Sequence, residues 1–176
     1  MAEDTVSTVA AREGTRRQCC TAGLPLAGAD GLTEARAALA EAPLAPDQLT
    51  HLVEHYGSAA LEVLALIRSD LALGRRMVDG LPVAAAEVVY ACRAEIAVSL
   101  TDCLYLRTRL TVLDTAAADE AAPTAAGLMA RELGWDAAET ARQMRVHEAR
   151  RDRERAWTGL ATGSPSSCPT IGSHPG

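Results

Sequence analysis

The chain has 176 residues, a formal net charge of −6 and an aromatic content of only 3%, with no phenylalanine. Its length suits one domain with a single hydrophobic core, and its acidic balance argues against a nucleic-acid partner. Alanine is abundant and strand-favouring residues are sparse, so the composition predicts an all-α fold. All 17 basic residues are arginine, which excludes chemistry that needs a lysine.

Both ends of the chain differ in composition from its middle. Residues 1–23 are polar, show no helical period and are expected to be disordered. Residues 24–31 contain turn formers and predict an extended connector. From residue 159 onward Gly, Ser, Pro and Thr dominate, so residues 158–176 are expected to form a disordered tail. The remainder predicts a single compact domain of about six or seven helices over residues 24–157.

The first half of this domain shows four helical patterns. Apolar residues at helical spacing predict helices over residues 33–42, 46–57, 59–68 and 71–79. Pro46 suits a first helical turn, Gly57 suits a helix end, and Ser58 suits the cap of the following helix. The helix over 59–68 has the fewest polar residues, so it is expected at the centre of the core.

The chain is organised around a long apolar stretch that carries charges at intervals, Gly80–Asp114. Pro82 is expected in the first turn of a very apolar helix, since its missing N–H would be unpaired there in any case. Ser99 and Asp102 form a capping-box pattern, which predicts that a second helix begins after a break near Ser99. This pair of helices is expected to contact most other elements.

The last part of the domain predicts two more helices. Pro123 is expected to begin a helix that ends at Gly134, and the pattern Asp136-x-x-Glu139 is expected to begin another. His147 is expected on the surface of this final helix. The run Arg150–Arg155 has mixed charge and predicts a solvated helix end with ion pairs at i, i+4 spacing.

Two runs within the apolar stretch follow a family pattern. They are Ala86-Glu-Val-Val-Tyr-Ala-Cys-Arg-Ala-Glu95, and Leu100-Thr-Asp-Cys-Leu104 followed by Arg107-Thr-Arg-Leu110. They resemble the AEVxYAxRxE and LxDxLxRRTRL patterns of the C-terminal helical domain of FAD-dependent glycerol-3-phosphate dehydrogenases and alpha-glycerophosphate oxidases. Leu106 departs from this pattern, because a basic residue is usual there. Shorter matches at residues 24–28, 55–58 and 132–135 extend the resemblance over residues 24–157.

The resemblance implies a role in a larger enzyme. Members of the family oxidise glycerol 3-phosphate to dihydroxyacetone phosphate and pass electrons to quinone or oxygen. Their FAD and substrate are bound by a preceding flavin domain, which would be the partner of this domain, and residues 1–23 would be the remnant of the junction. The sequence contains no G-x-G, so the chain is expected to bind no FAD and to be inactive alone.

The composition and the resemblance also predict a location. No signal sequence is visible, and no run of about 18 uncharged apolar residues occurs. The chain is therefore expected in the cytoplasm, or peripherally on the inner face of the membrane as part of a full-length enzyme. The five cysteines are odd in number and lack C-x-x-C spacing, and Cys92 and Cys103, which lie on apolar helices, are expected to be buried free thiols.

Two other functions compete with the accessory domain. One is a stand-alone helical interaction module that kept the fold and lost the enzyme. The other is a small zinc hydrolase, because His51-Leu-Val-Glu54-His55 matches H-x-x-E-H, in which two histidines share one helix face and the glutamate acts as base. The apolar stripe of the same helix points the other way, which predicts that the motif faces solvent.

Seven charged or polar residues in the apolar stretch are candidates for a structural or interface role: Glu87, Tyr90, Arg93, Glu95, Asp102, Arg107 and Arg109. Because an unpaired buried charge is costly, the six charged residues of this set are expected to form ion pairs that connect the helices. Alternatively, some of them face the flavin domain or a second subunit. A further alternative is that Arg107 and Arg109 bind a substrate phosphate by two-point recognition.

Overall fold

The computed structural model describes residues 2–15 and 19–161, and the regular elements in these residues are helical, as the composition predicts. An isolated antiparallel bridge joins Arg76 to Ala84. The helices are α1 Ala2–Arg12, α2 Leu32–Ala40, α3 Pro46–Tyr56, α4 Ala60–Ser69, α5 Ala85–Ala94, α6 Leu100–Asp102, α7 Leu110–Leu113, α8 Thr115–Leu133 and α9 Ala137–Ala161. A π turn over Cys103–Arg107 follows α6 directly.

Helix α5 is the element on which both halves of the core pack. Every residue from Ala85 to Ala91 is buried. Val88 and Val89 face the half of the core that is formed mainly by α6 and α8. Ala86 and Tyr90 face the other half, which is formed by α2, α3 and α4. The expectation that this stretch organises the chain is therefore confirmed, and its physical basis is a helix with no solvated side.

The start of α5 differs from the sequence prediction. Pro82 precedes the helix, which begins at Ala85 with Ala84 as its N-cap. Residues 75–84 form a compact loop in which the N–H of Met77 donates to the carbonyl of Val83, and the N–H of Ala85 donates to the carbonyl of Arg75. This loop also limits the helix expected over 71–79 to one short 3-10 turn.

Helix α8 begins earlier than predicted and passes through Pro123. Its N-cap is Asp114, whose Oδ1 accepts the N–H groups of Ala116 and Ala117. Proline inside a helix costs about 3 kcal/mol, since one backbone hydrogen bond is lost and the ring meets the preceding turn. Burial of the alanine face of α8 against α5 offsets this cost. The alanines on either side of Pro123 that are buried are Ala117, Ala118, Ala121, Ala122, Ala125 and Ala126.

Other helix ends follow the sequence more closely. The Ser99 hydroxyl accepts the N–H of Asp102, and Asp136 Oδ1 accepts the N–H of Glu139, so both predicted caps are confirmed. Ser58 is not the cap of α4, because that helix begins at Ala60 after a 3-10 turn.

The ends of the chain are only partly described. Residues 2–12 form α1, where no regular structure was expected, and none of its residues is buried. Acidic residues in its first turn and Arg12 in its last turn complement the helix dipole. Helix α9 continues to Ala161, and the remainder of the predicted tail lies outside the described residues.

Two of the shorter family segments meet at a pair of glycines. Gly28 and Gly57 have φ angles of 82° and 57°, and the Ser58 N–H donates to the Gly28 carbonyl at 2.9 Å. A Cβ at Gly57 would overlap the Gly28 carbonyl oxygen, and a Cβ at Gly28 would lie 2.6 Å from the Tyr56 carbonyl oxygen. Only glycine satisfies both the backbone angle and the close approach.

Replacing Gly57 with Ala should lower the free energy of unfolding by at least about 1–3 kcal/mol, because strain and overlap act together. The matched control is Gly127→Ala in α8, where an added Cβ would meet no atom within 4 Å. That change should be neutral or should stabilise the helix by up to about 1 kcal/mol. Urea denaturation of both variants checks this, and equal stability of the Gly57 variant and the parent would contradict it.

Replacing Leu64 with Ala should lower the free energy of unfolding by about 2–5 kcal/mol, since a buried side chain leaves a cavity. Leu64 is fully buried in α4, as expected for this helix, whereas Leu61 on the same helix is 36% exposed. Leu61→Ala is therefore the matched control and should change stability by about 0.5 kcal/mol. Thermal unfolding that does not separate the two variants would show that α4 lies outside the core.

Candidate functional site

The carboxylate of Glu87 lies at the centre of the domain with no exposed surface. Its Oε1 accepts the N–H of Ala84 at 2.7 Å. Its Oε2 accepts the Tyr56 hydroxyl at 3.0 Å and lies 2.9 Å from Nε2 of His51. A buried carboxylate must replace its lost hydration with such partners. These bonds therefore tie α3 to the first turn of α5.

A row of stacked rings extends from this carboxylate. The rings of His51 and His55 stack with centroids 5.4 Å apart, and His55 meets the edge of Tyr56 at 4.6 Å. Tyr56 in turn meets the edge of Tyr90 at 5.3 Å. His55 Nε2 lies 3.0 Å from the carbonyl oxygen of Arg107. The row therefore connects α3 both to α5 and to the π turn.

This geometry corrects the prediction that the H-x-x-E-H motif faces solvent. Glu54 and His55 are exposed, but the side chain of His51 is only 15% exposed and is bonded to Glu87. Both Nε2 atoms are engaged by protein groups. Among residues 2–15 and 19–161, no three His, Cys, Asp or Glu side chains are grouped so as to hold a metal ion. The zinc alternative thus gains no support from the positions of its residues.

The environment of Glu87 changes the proton affinity of its partners. Burial is the largest single effect on His51 and lowers its pKa. The hydrogen bond to Glu87 and the negative charges of Glu87, Glu54 and Asp47 together outweigh burial, so the pKa of His51 lies above its ordinary value. Burial, and then the charge of Glu87, raise the pKa of Tyr56, which stays a hydrogen-bond donor. His51 therefore favours its protonated form beside the carboxylate.

The other predicted residues divide into paired and unpaired groups. Arg93 forms a two-point ion pair with Glu132 at 2.6 and 2.8 Å, which connects α5 to α8. Arg107 is paired with Asp102 at 3.4 Å within its own turn. Arg109 is exposed, and its guanidinium forms no hydrogen bond or ion pair with a residue that the structure describes. The expected ion pairs thus form at Arg93 and Arg107 but not at Arg109.

Glu95 occupies the C-cap of α5 and is half-buried. Burial raises its pKa, while the nearby charges of Arg107 and His55 act in the opposite direction. Its Oε2 is buried and has no hydrogen-bond partner among the described residues. The carboxyl group at the end of α5 therefore lacks a full set of hydrogen bonds.

A second polar cluster on α9 was not predicted from the sequence. His147 was expected on the surface, but it is only 1% exposed, and within the described part of the chain neither ring nitrogen has a hydrogen-bond partner. Nε2 lies 3.7 Å from Asp119, which also pairs with Arg151 and Arg155. Burial is the main reason that the pKa of His147 is lowered. This cluster attaches α9 to α8.

The polar face of α9 also contacts α6 and the π turn. Gln143 is 4% exposed and its Oε1 accepts the N–H of Leu100 at 3.1 Å. The Tyr105 hydroxyl donates to Glu154 at 2.5 Å, and the Arg150 guanidinium lies 4.0 Å from the centre of the Tyr105 ring. The predicted Arg150–Glu154 pair is present at 3.1 Å. The Gln143–Leu100 and Tyr105–Glu154 contacts join residues 43 and 49 positions apart, so a helical period could not indicate them.

The starts of α5, α8 and α9 do not suit the pyrophosphate of FAD. A dinucleotide pyrophosphate is normally bound by free N–H groups in the first turn of a helix that follows a glycine-rich loop. Here the N–H groups at the starts of α5, α8 and α9 are taken by the carboxylates of Glu87, Asp114 and Asp136. Negative charge at these positions would repel a phosphate. No step of a flavin reaction is therefore assigned to this chain.

Comparison with known proteins agrees with the motif at α5 and α6. Residues 19–140 match the model of the C-terminal domain of alpha-glycerophosphate oxidase. The chain belongs to this family. The resemblance inferred from its motifs is thereby confirmed, and α5, α6 and the Gly28–Gly57 contact all lie within the matched residues.

The relatives are much longer proteins. A probable mitochondrial glycerol-3-phosphate dehydrogenase of Dictyostelium discoideum is 33% identical over 77% of this chain and 22% of its own length. A probable mitochondrial glycerol-3-phosphate dehydrogenase of Caenorhabditis elegans is 34% identical over 82% and 21%. Glycerol-3-phosphate dehydrogenase 2 of Mycobacterium tuberculosis is 32% identical over 76% and 24%. The chain thus spans under a quarter of these relatives. No solved structure matches it significantly.

Replacing His51 with Ala should lower the free energy of unfolding by about 1–3 kcal/mol, because a buried carboxylate loses a partner. Since the folded pKa of His51 is raised, its stabilisation is present below the unfolded pKa of 6.5 and is lost as pH rises through the folded pKa. The difference between parent and variant should therefore be larger at pH 6 than at pH 9.

Urea denaturation at the two pH values measures this difference. His55→Ala is the matched control, since this ring is exposed and touches no carboxylate oxygen at hydrogen-bond distance. His147 affects parent and variant alike, so its opposite pH dependence cancels in the comparison. A His51 effect that is equal at both pH values would contradict a charged pair with Glu87.

Proposed function

We propose that the chain is an accessory helical domain of a flavin-dependent glycerol-3-phosphate dehydrogenase, which oxidises glycerol 3-phosphate to dihydroxyacetone phosphate. The observation that carries the proposal is the extent of the match. It covers the C-terminal domain of the family and only 21–24% of the length of three relatives. The FAD and substrate would then be bound by a flavin catalytic domain, which is the partner of this one.

The positions of the charged groups favour an accessory role for this domain. The carboxylate of Glu87 is fully buried and saturated by groups of α3 and α5, so it is out of reach of a substrate. Arg107 is paired internally, which argues against a phosphate site built from Arg107 and Arg109 together. We therefore propose that the chain binds no FAD by itself, is inactive alone, and stabilises or orients the flavin domain.

The location proposed for the complete assembly follows from the same role. No helix in the described part of the chain is long and apolar enough to cross a membrane. We propose that the domain acts in the cytoplasm, or peripherally at the inner face of the membrane through the enzyme to which it belongs. A stand-alone interaction module is the competing function, and the experiment below separates the two.

The test is complementation of a truncated relative. Glycerol-3-phosphate dehydrogenase 2 of Mycobacterium tuberculosis is prepared without the region that matches this chain. The reduction of a dye by glycerol 3-phosphate is then measured with and without the purified chain. We expect no activity from the chain alone, and an increase in activity of at least about tenfold when it is added, because domain docking orders the catalytic part. The Gly57→Ala variant serves as the destabilised control.

A covalent chimera, with this chain in place of the matching region of the relative, covers the case in which the truncated enzyme does not fold. Activity of the chimera would support the proposal. If neither the mixture nor the chimera is active, or if the truncated relative is fully active alone, the accessory role is wrong. Absence of any complex on size-exclusion chromatography would then favour the stand-alone module.

A further inference from the structure

Exposed apolar side chains are concentrated beside the π turn. Of the twelve large apolar side chains exposed in the described residues, five lie between residues 96 and 113: Ile96, Val98, Leu106, Val112 and Leu113. Ile96 is 77% exposed, Val98 is 63% exposed and Leu106 is 66% exposed. Isolated exposed apolar residues are normal, but a concentration of them marks a contact surface.

Three of these side chains, Ile96, Val98 and Leu106, lie on two segments that are anchored in the same core cluster, and we call their surface the loop–π face. It consists of residues 95–98, after α5, and residues 106–109, at the end of the π turn. Ala97 of the first segment is buried in the same core cluster as Cys103 and Leu104 of the π turn, and α5 contacts that turn, so the two segments lie close together. His55 also contacts the π turn, because its Nε2 lies 3.0 Å from the carbonyl oxygen of Arg107.

The backbone of the loop–π face is strained. Ile96 and Arg109 are the two non-glycine residues of the described chain with positive φ, at 58° and 56°. This conformation costs about 1–3 kcal/mol and is least suited to a β-branched residue such as Ile96. Buried Ala97 holds the loop, and its N–H donates to the Ala91 carbonyl at 2.9 Å. This conformation leaves the side chain of Ile96 in solvent, where its burial does not stabilise the domain.

The π turn likewise leaves a side chain of residues 106–109 exposed to solvent. Thr108 is buried, and both its N–H and its hydroxyl donate to the Cys103 carbonyl, at 2.9 and 3.0 Å. These bonds span five residues instead of four, a widening that often occurs at functional sites. Between buried Thr108 and buried Leu110, the guanidinium of Arg109 projects outward without a described partner. The face thus combines apolar side chains with an unpaired cation.

We propose that the loop–π face is the surface on which the flavin domain docks, through apolar side chains and a carboxylate that pairs with Arg109. This inference rests on the proposed function. The relatives supply an occupant, since more than three quarters of their length lies outside the part that matches this chain. The face also lies within the family-matched residues and includes part of the motif at Arg107–Leu110.

The charges favour a flavin domain over a second copy of the chain. On the loop–π face, Glu95 is half-buried and Arg107 is already held by Asp102, so the free charge is the cation of Arg109. A self-association through this face would bring two Arg109 cations together, and the one carboxylate of the face, Glu95, has a buried Oε2 that Arg109 of a second copy could not reach. A different domain can supply the missing anion, and a desolvated arginine–carboxylate pair at an apolar contact gives specificity.

The decisive variants are Ile96→Asn and Arg109→Glu. Asparagine tolerates positive φ better than isoleucine, so Ile96→Asn should leave the thermal stability of the domain unchanged or higher. It should nevertheless weaken binding to the truncated relative at least about tenfold, because an apolar anchor is lost. Arg109→Glu should weaken binding by a similar factor through repulsion. Isothermal titration calorimetry with the flavin-containing truncated relative measures both.

The matched control is Leu71→Asn. Leu71 is 69% exposed, so its apolar side chain is as solvated as those of the loop–π face. Leu71 lies in the 3-10 turn Leu71–Gly74, before α5. The N–H of Ala85, the first residue of α5, donates to the carbonyl of Arg75, which follows this turn. Leu71 therefore lies near the start of α5, whereas Ile96 follows its end. This variant should bind with the parent affinity. If Ile96→Asn unfolds the domain, Leu106→Gln in the π turn replaces it.

The outcomes distinguish this inference from the proposed function. If the parent chain does not bind the truncated relative, and the chimera is inactive, the proposed function fails and the docking face fails with it. If the parent binds but the loop–π variants bind equally well, the docking face is wrong while the proposed function stands. If the chain alone forms a dimer that Ile96→Asn dissociates, the occupant is a second copy and the proposal is overturned.

Discussion

The buried carboxylate of Glu87 is the interaction on which the rest of the structure depends. A charge that is removed from water must be given hydrogen bonds by the protein. Glu87 takes one from the N-cap of its own helix and two from α3. The start of α5 and the position of α3 relative to it are therefore set together. Because α5 is buried on every side over Ala85–Ala91, both halves of the core depend on that position.

The π turn connects this centre to the surface. The row of rings from His51 to His55 ends at the carbonyl of Arg107, and α9 contacts the same turn through Tyr105 and Glu154. Such a turn is supported from both sides, so it can hold Ile96 and Arg109 in conformations that a free loop would avoid. The exposed residues of the loop–π face are thereby held in one arrangement before binding, which would lower the entropic cost of docking a partner there.

The sequence predicted most helices because their signals are local. Pro46, Ser99 and Asp136 act within one helical turn of themselves, so a short window contains both the signal and its partner. The predictions failed where distant packing decided. Pro123 lies inside α8 because its neighbouring alanines are buried against α5. His147 is buried because α8 places Asp119 and a covered surface beside it.

For the candidate site too, some features follow from the sequence and others only from the folded core. The sequence by itself determined the family, the helical class and the identity of the charged residues, since a motif preserves residue types and spacing. Only the tertiary structure decided that His51 pairs with Glu87 and that Arg107 pairs with Asp102. It also decided that Arg109 forms no ion pair with a described residue. Glu87 meets His51 and Tyr56 across 36 and 31 residues of chain. A helical period carries no information over such separations, because the folded core, and not the local pattern, chooses which faces meet.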